Sequence, residues 1–583
     1  MILHAASDNA PSLLLVEGGL TFIAVAAAYA WPKLGNSWFA RVERAFTSLA
    51  RKQGLAVATV GLGTLLLRLA ILPLFPVPLP FDPNDFSNLL AADTFAHGHL
   101  ANPTPAMWTH LEAVHVDMQP TYGSMYFPGE GLTLAAGKVL FGCSWLGILI
   151  AGALMCAALC WMLQAWLPPG WALLGGILAM LRIGLFSYWT NTYTGAGVLG
   201  GLGGALVLGA MPRLMKTASI RYGLLMAVGI VLLIYSRPYE GLLLCLPVAF
   251  VLVKWAIRGK NRPAPVVLLR RAALPVLIVL AGCAWFGYYN YSAFGRATTL
   301  PYTVNRAAYA MAPYYIWQPP RPQPHYRHEL MRRFYYEIEL TAYDRIHSLS
   351  GYLPINFQKI VATILFFAGL ALFPPIFLMR RVFLDKRMRF LVISVLILMV
   401  GNLIMIYMIP HYLAPFTAVF YALGLQAMRH LCFFKPEGRA MGRALVRSIV
   451  VICVLMAGIR LFAAPLGFQV SEWSATQWEG TWIGPEHFGV ERAQIETSLE
   501  QTPGKQLVFV RYGADHPPGD QWIYNSANID ASKVVWAWDM GPADNRELMQ
   551  YYGDRQVWLV EPDAHPISLS PYREPPQAVA AAH

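Results

Sequence analysis

Charge is what this 583-residue chain has least of. Only 13% of its residues are Asp, Glu, Lys or Arg, about half of the roughly 25% found in an ordinary soluble domain. That scarcity excludes a plain cytosolic enzyme. Acid is the rarer sign, with 32 Asp+Glu against 44 Lys+Arg. Cysteine is sparse as well: all seven precede residue 465, and five lie inside apolar runs, so no disulfide or zinc framework is visible. No repeat of 20 to 50 residues recurs, which leaves solenoids and propellers unsupported. The 42 prolines and 48 glycines form no low-complexity tract, so disorder is not expected. The start, MILHAASDNAPS, has no basic n-region, and the first apolar stretch is expected to be a retained helix, not a cleaved signal peptide.

What the chain has in abundance is apolar length. Runs close to the ~20 residues that cross a bilayer recur from Leu13 to Phe462. Twelve spans are expected, at roughly 13–32, 55–75, 144–167, 171–189, 195–212, 221–236, 240–257, 272–290, 358–379, 389–409, 412–427 and 446–464. The fold class is therefore a polytopic all-α membrane protein with about 12 transmembrane helices and large outer loops, plus a small C-terminal α/β soluble domain. The domain split falls at 1–464 and 465–583. In the second part QLVFVRY (506–512), KVVWAW (533–538) and QVWLVE (556–561) read as strands, and NRELMQYY (545–552) as a helix at parallel-crossover spacing. No G-x-G-x-x-G or P-loop pattern accompanies them, so nucleotide binding has no basis there.

Charge placement sets the expected topology. Residues 465–583 hold 7 basic and 16 acidic side chains, net −9, so the remainder carries net +21. The alkaline balance thus belongs to the membrane part, and no nucleic-acid partner is needed to explain it. Five basic loops, 33–54, 213–221, 254–271, 380–389 and 428–447, fall on one face if twelve spans alternate. Lys and Arg near helix ends resist translocation, so that face is expected to be cytoplasmic. Both termini, the loops 76–143 and 291–357 and the C-terminal domain then lie outside, on a cell inner (plasma) membrane. The apolar segment 129–142, about 14 residues, is too short to span and is expected to be interfacial or re-entrant.

The outer face carries the candidate chemistry. Phe81-Asp82-Pro83-Asn84-Asp85-Phe86 stands at the end of a span, where a partly desolvated carboxylate can serve as general base toward an acceptor hydroxyl. The same residues also make a good helix start: Asp82 as N-cap, Pro83 at N1 and Asp85 at N3. His110, Glu112, His115 and Asp117 have a spacing that could bind a divalent cation, but on spacing alone a solvated loop is the expected reading. Arg237, in Ser236-Arg237-Pro238-Tyr239-Glu240, suits bidentate phosphate contact, with a local pair to Glu240 as the structural option. Arg68, Arg182 and Glu17 are expected to form a structural ion pair among themselves, and His411 with Tyr412 to anchor an outer turn. The loop 291–357 mixes tyrosines with Arg306, Arg321 and five further arginines, as a cover over a glycosyl phosphate or over lipid headgroups would.

These residues resemble the GT-C superfamily of membrane glycosyltransferases, which includes protein mannosyltransferases, aminoarabinose transferases and RgtABCD-type enzymes. The likeness covers roughly residues 55–460. It rests on Asn84-Asp85-Phe86-Ser87 through Leu90-Ala91-Ala92-Asp93-Thr94-Phe95-Ala96, Asn102-Pro103-Thr104, Met107-Trp108, Pro120-Thr121-Tyr122 and Tyr126-Phe127-Pro128-Gly129. Phe186-Ser187-Tyr188-Trp189, Ser236 to Glu240 and Trp317-Gln318-Pro319-Pro320-Arg321-Pro322 add to it. The resemblance implies a polyprenyl-phosphate-linked sugar donor and attack by an acceptor hydroxyl or amine on a lipid, glycan or protein. It also implies inversion at the anomeric carbon and an acidic base in the first outer loop. Carried onto this sequence, it makes Asp85 and Asp82 the catalytic candidates. Asn84, Asp93, Tyr126, Asn191, Arg237, Glu240, Arg321 and His411 become substrate-binding candidates, with a divalent cation as an optional cofactor. The chain departs from the pattern at Asn84, where an acid is common, at Met125 and Phe127, and at Asn191 in place of a second-loop acid. Two other functions compete: a non-catalytic assembly or sensor protein with an outer binding domain, and a transporter, which would place charge at broken mid-membrane helices.

Overall fold

A computed structural model of the chain describes residues 13–195, 197–259, 262–463, 465–466 and 489–573. Among them, seven helices are long and apolar enough to cross a bilayer: Leu13–Ala30, Gln53–Ala70, Ser144–Trp166, Val198–Thr217, Pro238–Arg258, Pro265–Phe294 and Met441–Leu461. The apolar helices Pro169–Gly184, Ile220–Ser236 and Arg389–Leu403 are shorter. The two remaining expected spans, 358–379 and 412–427, appear as Leu349–Phe367, which carries Lys359, and the 15-residue Thr417–Leu431. The molecule is thus a polytopic helical membrane protein. Ser144–Trp166 and Val198–Thr217 form its centre, each two-thirds enclosed by protein, whereas Pro265–Phe294 is 6% enclosed and faces outward. Small residues permit the central packing. A Cβ on Gly203 would lie 2.8 Å from the Gly229 carbonyl oxygen, and one on Gly204 would lie 1.9 Å from that of Pro415.

Three expected elements differ from what is observed. The basic loop 33–54 contains a helix, Asn36–Arg51, because Trp38, Phe39 and Phe46 recur at helical spacing opposite Arg41, Arg44 and Arg51. The span expected at 171–189 is a straight helix only to Ala179, then a π turn over Met180–Gly184 and a short helix Tyr188–Asn191. The span expected at 358–379 starts earlier, where the Ser348 hydroxyl caps the Gly351 amide, and stops at Phe367. That stop depends on a distant side chain. Arg182 donates from Nε to the Phe366 carbonyl at 2.8 Å and from Nη2 to that of Leu365 at 2.6 Å, satisfying the orphaned end of the helix. The same guanidinium pairs with Glu17 at 3.4 Å, as expected from the sequence, while Arg68 stands apart from both.

The C-terminal part forms a four-stranded sheet in the order Val534–Trp538, Lys505–Val510, Arg555–Glu561 and Ser568–Pro571. The first three strands are parallel and the last is antiparallel. The expected crossover through Pro542–Tyr551 is present, with Lys505–Val510 lying between the strands it joins. Each face of this sheet shares a core with the outer loops. Val508, Val510 and Trp536 cluster with Val114, Tyr309 and Tyr335, and Leu507, Phe509 and Val535 cluster with Leu90, Leu111 and Val116. Each large side chain buried in this way stabilises the contact by about 1.5–3 kcal/mol. Polar bonds fix the register: the Ala527 amide donates to Asp93 Oδ2 at 2.8 Å, and the Gln521 amide to the Phe81 carbonyl at 3.2 Å.

Candidate active site

The site grows from one helix start. Asp82 is extended (φ −101°, ψ 162°), and its Oδ1 accepts the Asp85 amide at 2.9 Å, with Pro83 opening the helix Pro83–Ala96. The capping geometry expected from the sequence is therefore present. Both carboxylates are buried, but their surroundings differ. Asp82 also accepts Asn84 Nδ2 at 3.3 Å and lines a cavity of about 460 Å³. Asp85 is fully enclosed. Its Oδ1 accepts the Tyr193 amide at 2.8 Å, while its Oδ2 has no hydrogen-bond partner among the described residues. Burial raises the pKa of Asp82 against these donated bonds, and raises that of Asp85 further because the Asp82 charge adds to it. Of the two neighbouring carboxyl groups, Asp85 is the one pushed further toward its protonated form.

The cavity gathers side chains from both long outer loops and from three helix junctions. Tyr126, Tyr302, Tyr314, Tyr407 and Tyr412 give it an aromatic wall. Arg237 lines it with its guanidinium carbon 4.6 Å from the Tyr412 ring centroid. Its Nε has no hydrogen-bond partner among the described residues, and Glu130 and Glu240 act on its charge without closing to a hydrogen-bonded pair there. A guanidinium with an unbonded donor on a cavity wall is placed to meet an anionic ligand. His411 also lines the cavity, its Nδ1 2.9 Å from the Tyr188 hydroxyl.

Of the ten residues expected from the sequence, Asp82, Asn84, Tyr126, Arg237 and His411 thus share one cavity, and five stand outside its lining. Asp85 lies beneath it. Asp93 binds Lys138 at 2.6 Å and the Ala527 amide, joining the first outer loop to the C-terminal sheet. Asn191 accepts Arg68 Nε at 2.9 Å and donates to the Leu185 and Ser187 carbonyls. Glu240 is buried without reaching the lining, and Arg321 donates to the Arg306 carbonyl at 3.5 Å.

Sequence reasoning missed other lining residues. Arg306 and Glu339 form a 2.6 Å pair in the cavity wall, and Lys359 donates to the Asn402 and Met405 carbonyls at 3.3 and 2.5 Å. Lys359 left a signal, since it is the single charge in the apolar stretch 355–379. The Arg306–Glu339 pair left none, because 33 residues separate its members.

The four residues weighed for a divalent cation do not converge. His110 contacts the Asp544 carbonyl, Glu112 accepts the Tyr309 hydroxyl and faces Arg327 and His328, and Asp117 accepts Asn305. Neither are they a solvated loop, for His110, Glu112 and Asp117 are all buried. Among the described residues no three His, Cys, Asp or Glu side chains are grouped to hold a metal ion, so the donor set does not fit one.

No family model and no curated protein matches this chain. Solved structures do. The archaeal oligosaccharyltransferase AglB of Archaeoglobus fulgidus, in complex with an inhibitory peptide and a dolichol-phosphate, is similar over 86% of this chain and 69% of its own, at 12% identity and a TM-score of 0.43. ArnT of Cupriavidus metallidurans in the apo state is similar over 86% of this chain and 93% of its own, at 14% identity and a TM-score of 0.44. The Archaeoglobus fulgidus oligosaccharyltransferase with zinc and sulfate is similar over 85% and 67%, at 11% identity and a TM-score of 0.43.

Proposed function

We propose that the chain is an integral-membrane glycosyltransferase that moves a sugar from a polyprenyl-phosphate donor to an acceptor hydroxyl on the outer face of an inner (plasma) membrane. The observation that carries this reading is a juxtaposition. One aromatic-walled cavity holds a carboxylate, Asp82, and a guanidinium, Arg237, whose Nε has no hydrogen-bond partner among the described residues and which no protein carboxylate approaches within 4.0 Å there. Asp82 takes the proton of the acceptor hydroxyl. The freed oxygen attacks the anomeric carbon from the face opposite the phosphate, and the bond from that carbon to the phosphate oxygen breaks. The departing electron pair stays on that oxygen, whose charge Arg237 meets. Tyrosine faces suit the sugar ring.

Of the two catalytic candidates, Asp85 stood first in the sequence reading, but Asp82 is the base here: Asp82 lines the cavity, whereas Asp85 does not, and burial together with the Asp82 charge pushes Asp85 further toward its protonated form. The test is a screen of purified protein against labelled polyprenyl-phosphate sugars. Asp82→Asn is expected to lose about 10²–10⁴-fold in transfer with unchanged donor KM. Undiminished transfer by that variant would overturn the assignment. Arg237→Ala should chiefly raise the donor KM.

A further inference from the structure

A second polar group in the same cavity belongs to no role described so far. His115 is one of three non-glycine residues among those described that have positive φ, at 64°, a conformation that costs an ordinary side chain free energy and persists only where its surroundings fix it. Three bonds do so. Its amide donates to the Tyr335 hydroxyl at 3.1 Å, and its carbonyl accepts the Ser87 hydroxyl at 2.7 Å and the Met125 amide at 3.2 Å. The result is a ring on the cavity wall, edge-on to Phe334 and Tyr126.

The protons of that ring follow from counting donors. If Asp82 is the anion, it can only accept, so Asn84 turns its Nδ2 toward Asp82 and its Oδ1 toward Tyr126. The Tyr126 hydroxyl has one proton and donates it to Asn84 Oδ1. Its oxygen therefore accepts from His115 Nδ1, 3.0 Å away. His115 Nδ1 must carry the proton, and Nε2, which takes part in no hydrogen bond among the described residues, is left with a lone pair on a ring that lines the cavity. Burial and the nearby Arg306 push the imidazole pKa down to about 3, which keeps the ring neutral at working pH.

We propose that His115 Nε2 is a hydroxyl-accepting subsite for a sugar or other polyol in the cavity, its tautomer fixed by the Asp82 carboxylate through Asn84 and Tyr126. The proposal rests on Asp82 being charged. It gives two side chains a use: the Asn84 amide passes a directional bond from Asp82, and the Tyr126 hydroxyl becomes the next link in that chain. A purely structural histidine would need no particular tautomer and no free nitrogen.

Nitrogen NMR of protein labelled with ¹⁵N-histidine tests this in the full chain without any transfer assay, with the His115 signal assigned by its loss in His115→Asn. Asparagine tolerates positive φ, so that variant keeps the backbone. The expected spectrum has Nδ1 protonated and Nε2 bare, and Tyr126→Phe and Asp82→Asn should each shift the tautomer balance. Titration with a panel of methyl pyranosides and furanosides should move Nε2 in the native chain. Affinity for the best of them should fall roughly three- to tenfold in a folded His115→Asn. An Nε2-protonated ring, or glycoside binding unchanged in the folded variant, would overturn the subsite. Failure of the transferase reading would look different: no labelled donor would turn over while the tautomer stayed as described.

Discussion

Asp82 and Asp85 are the same amino acid one helical turn apart, and their environments give them opposite tasks. Two donated bonds and a cavity face favour the charged form of Asp82, while burial with an unpartnered oxygen among the described residues pushes Asp85 further toward its protonated form. Asp85→Asn should therefore retain most of the transfer that Asp82→Asn loses, and kinetics of the two purified variants decide it. If both are equally inactive, Asp85 is needed as an acid. The pH profile adds a sign. A base with a raised pKa must lose its proton to work, so transfer should rise with pH through a midpoint above the usual carboxylate range. Asp117 gives a separate test through stability, because burial pushes its pKa up to about 8 while Asn305 donates to it. The neutral form is favoured by the fold, so its contribution is complete below the unfolded value of about 3.9 and is lost as pH rises toward about 8. The melting temperature of Asp117→Asn should fall less over that window than that of the native chain. Parallel slopes would show that Asp117 does not titrate there. None of this separation was legible in the sequence. The motif showed two acids beside a proline, and the features that tell them apart, the Tyr193 amide on Asp85 and the cavity beside Asp82, come from distant parts of the chain.

At the scale of elements, apolar length located every helix that crosses the core, and β-branched runs located the three parallel strands. What local pattern could not show were the ends set by distant side chains. The helix Leu349–Phe367 stops because Arg182 caps its carbonyls and Gly369, at φ 65°, turns the chain away. The sequence alone suggested a continuation to 379, since no charged residue interrupts it after Lys359. Arg182 also carries the pair to Glu17. Arg182→Ala therefore leaves a buried carboxylate and two orphaned carbonyls together. A loss of about 3–5 kcal/mol is expected, by analogy with breaking a buried pair, and a lower melting temperature in detergent measures it. Glu17→Gln, which keeps an acceptor for the Ala371 amide, should cost less. Equal melting temperatures for native chain and Arg182→Ala would mean that water or lipid replaces the cap.

At the scale of the whole molecule, two of the five basic loops, 33–54 and 428–447, meet at one end: Arg447 pairs with Glu43 at 2.7 Å, and the Arg439 guanidinium lies 5.2 Å from the ring centroid of Tyr29, just before the first of them. The segments assigned to the other face, 76–143 and 291–357, meet the C-terminal sheet through two shared cores. A lipid-linked donor and an acceptor outside the cell can both reach Asp82 only if that second end faces outward. Single cysteines in a chain freed of its seven native thiols, none of which is in a disulfide among the described residues, read this directly. Arg44→Cys, on the basic helix Asn36–Arg51, should resist a membrane-impermeant maleimide added to intact cells and react only after permeabilisation. Asp515→Cys, exposed on the loop that brings Gly519 to the cavity, should react at once. If both positions label from the same side, the two ends do not straddle the bilayer. If their order is reversed, the cavity opens to the cytoplasm, and the donor would have to be presented from that leaflet.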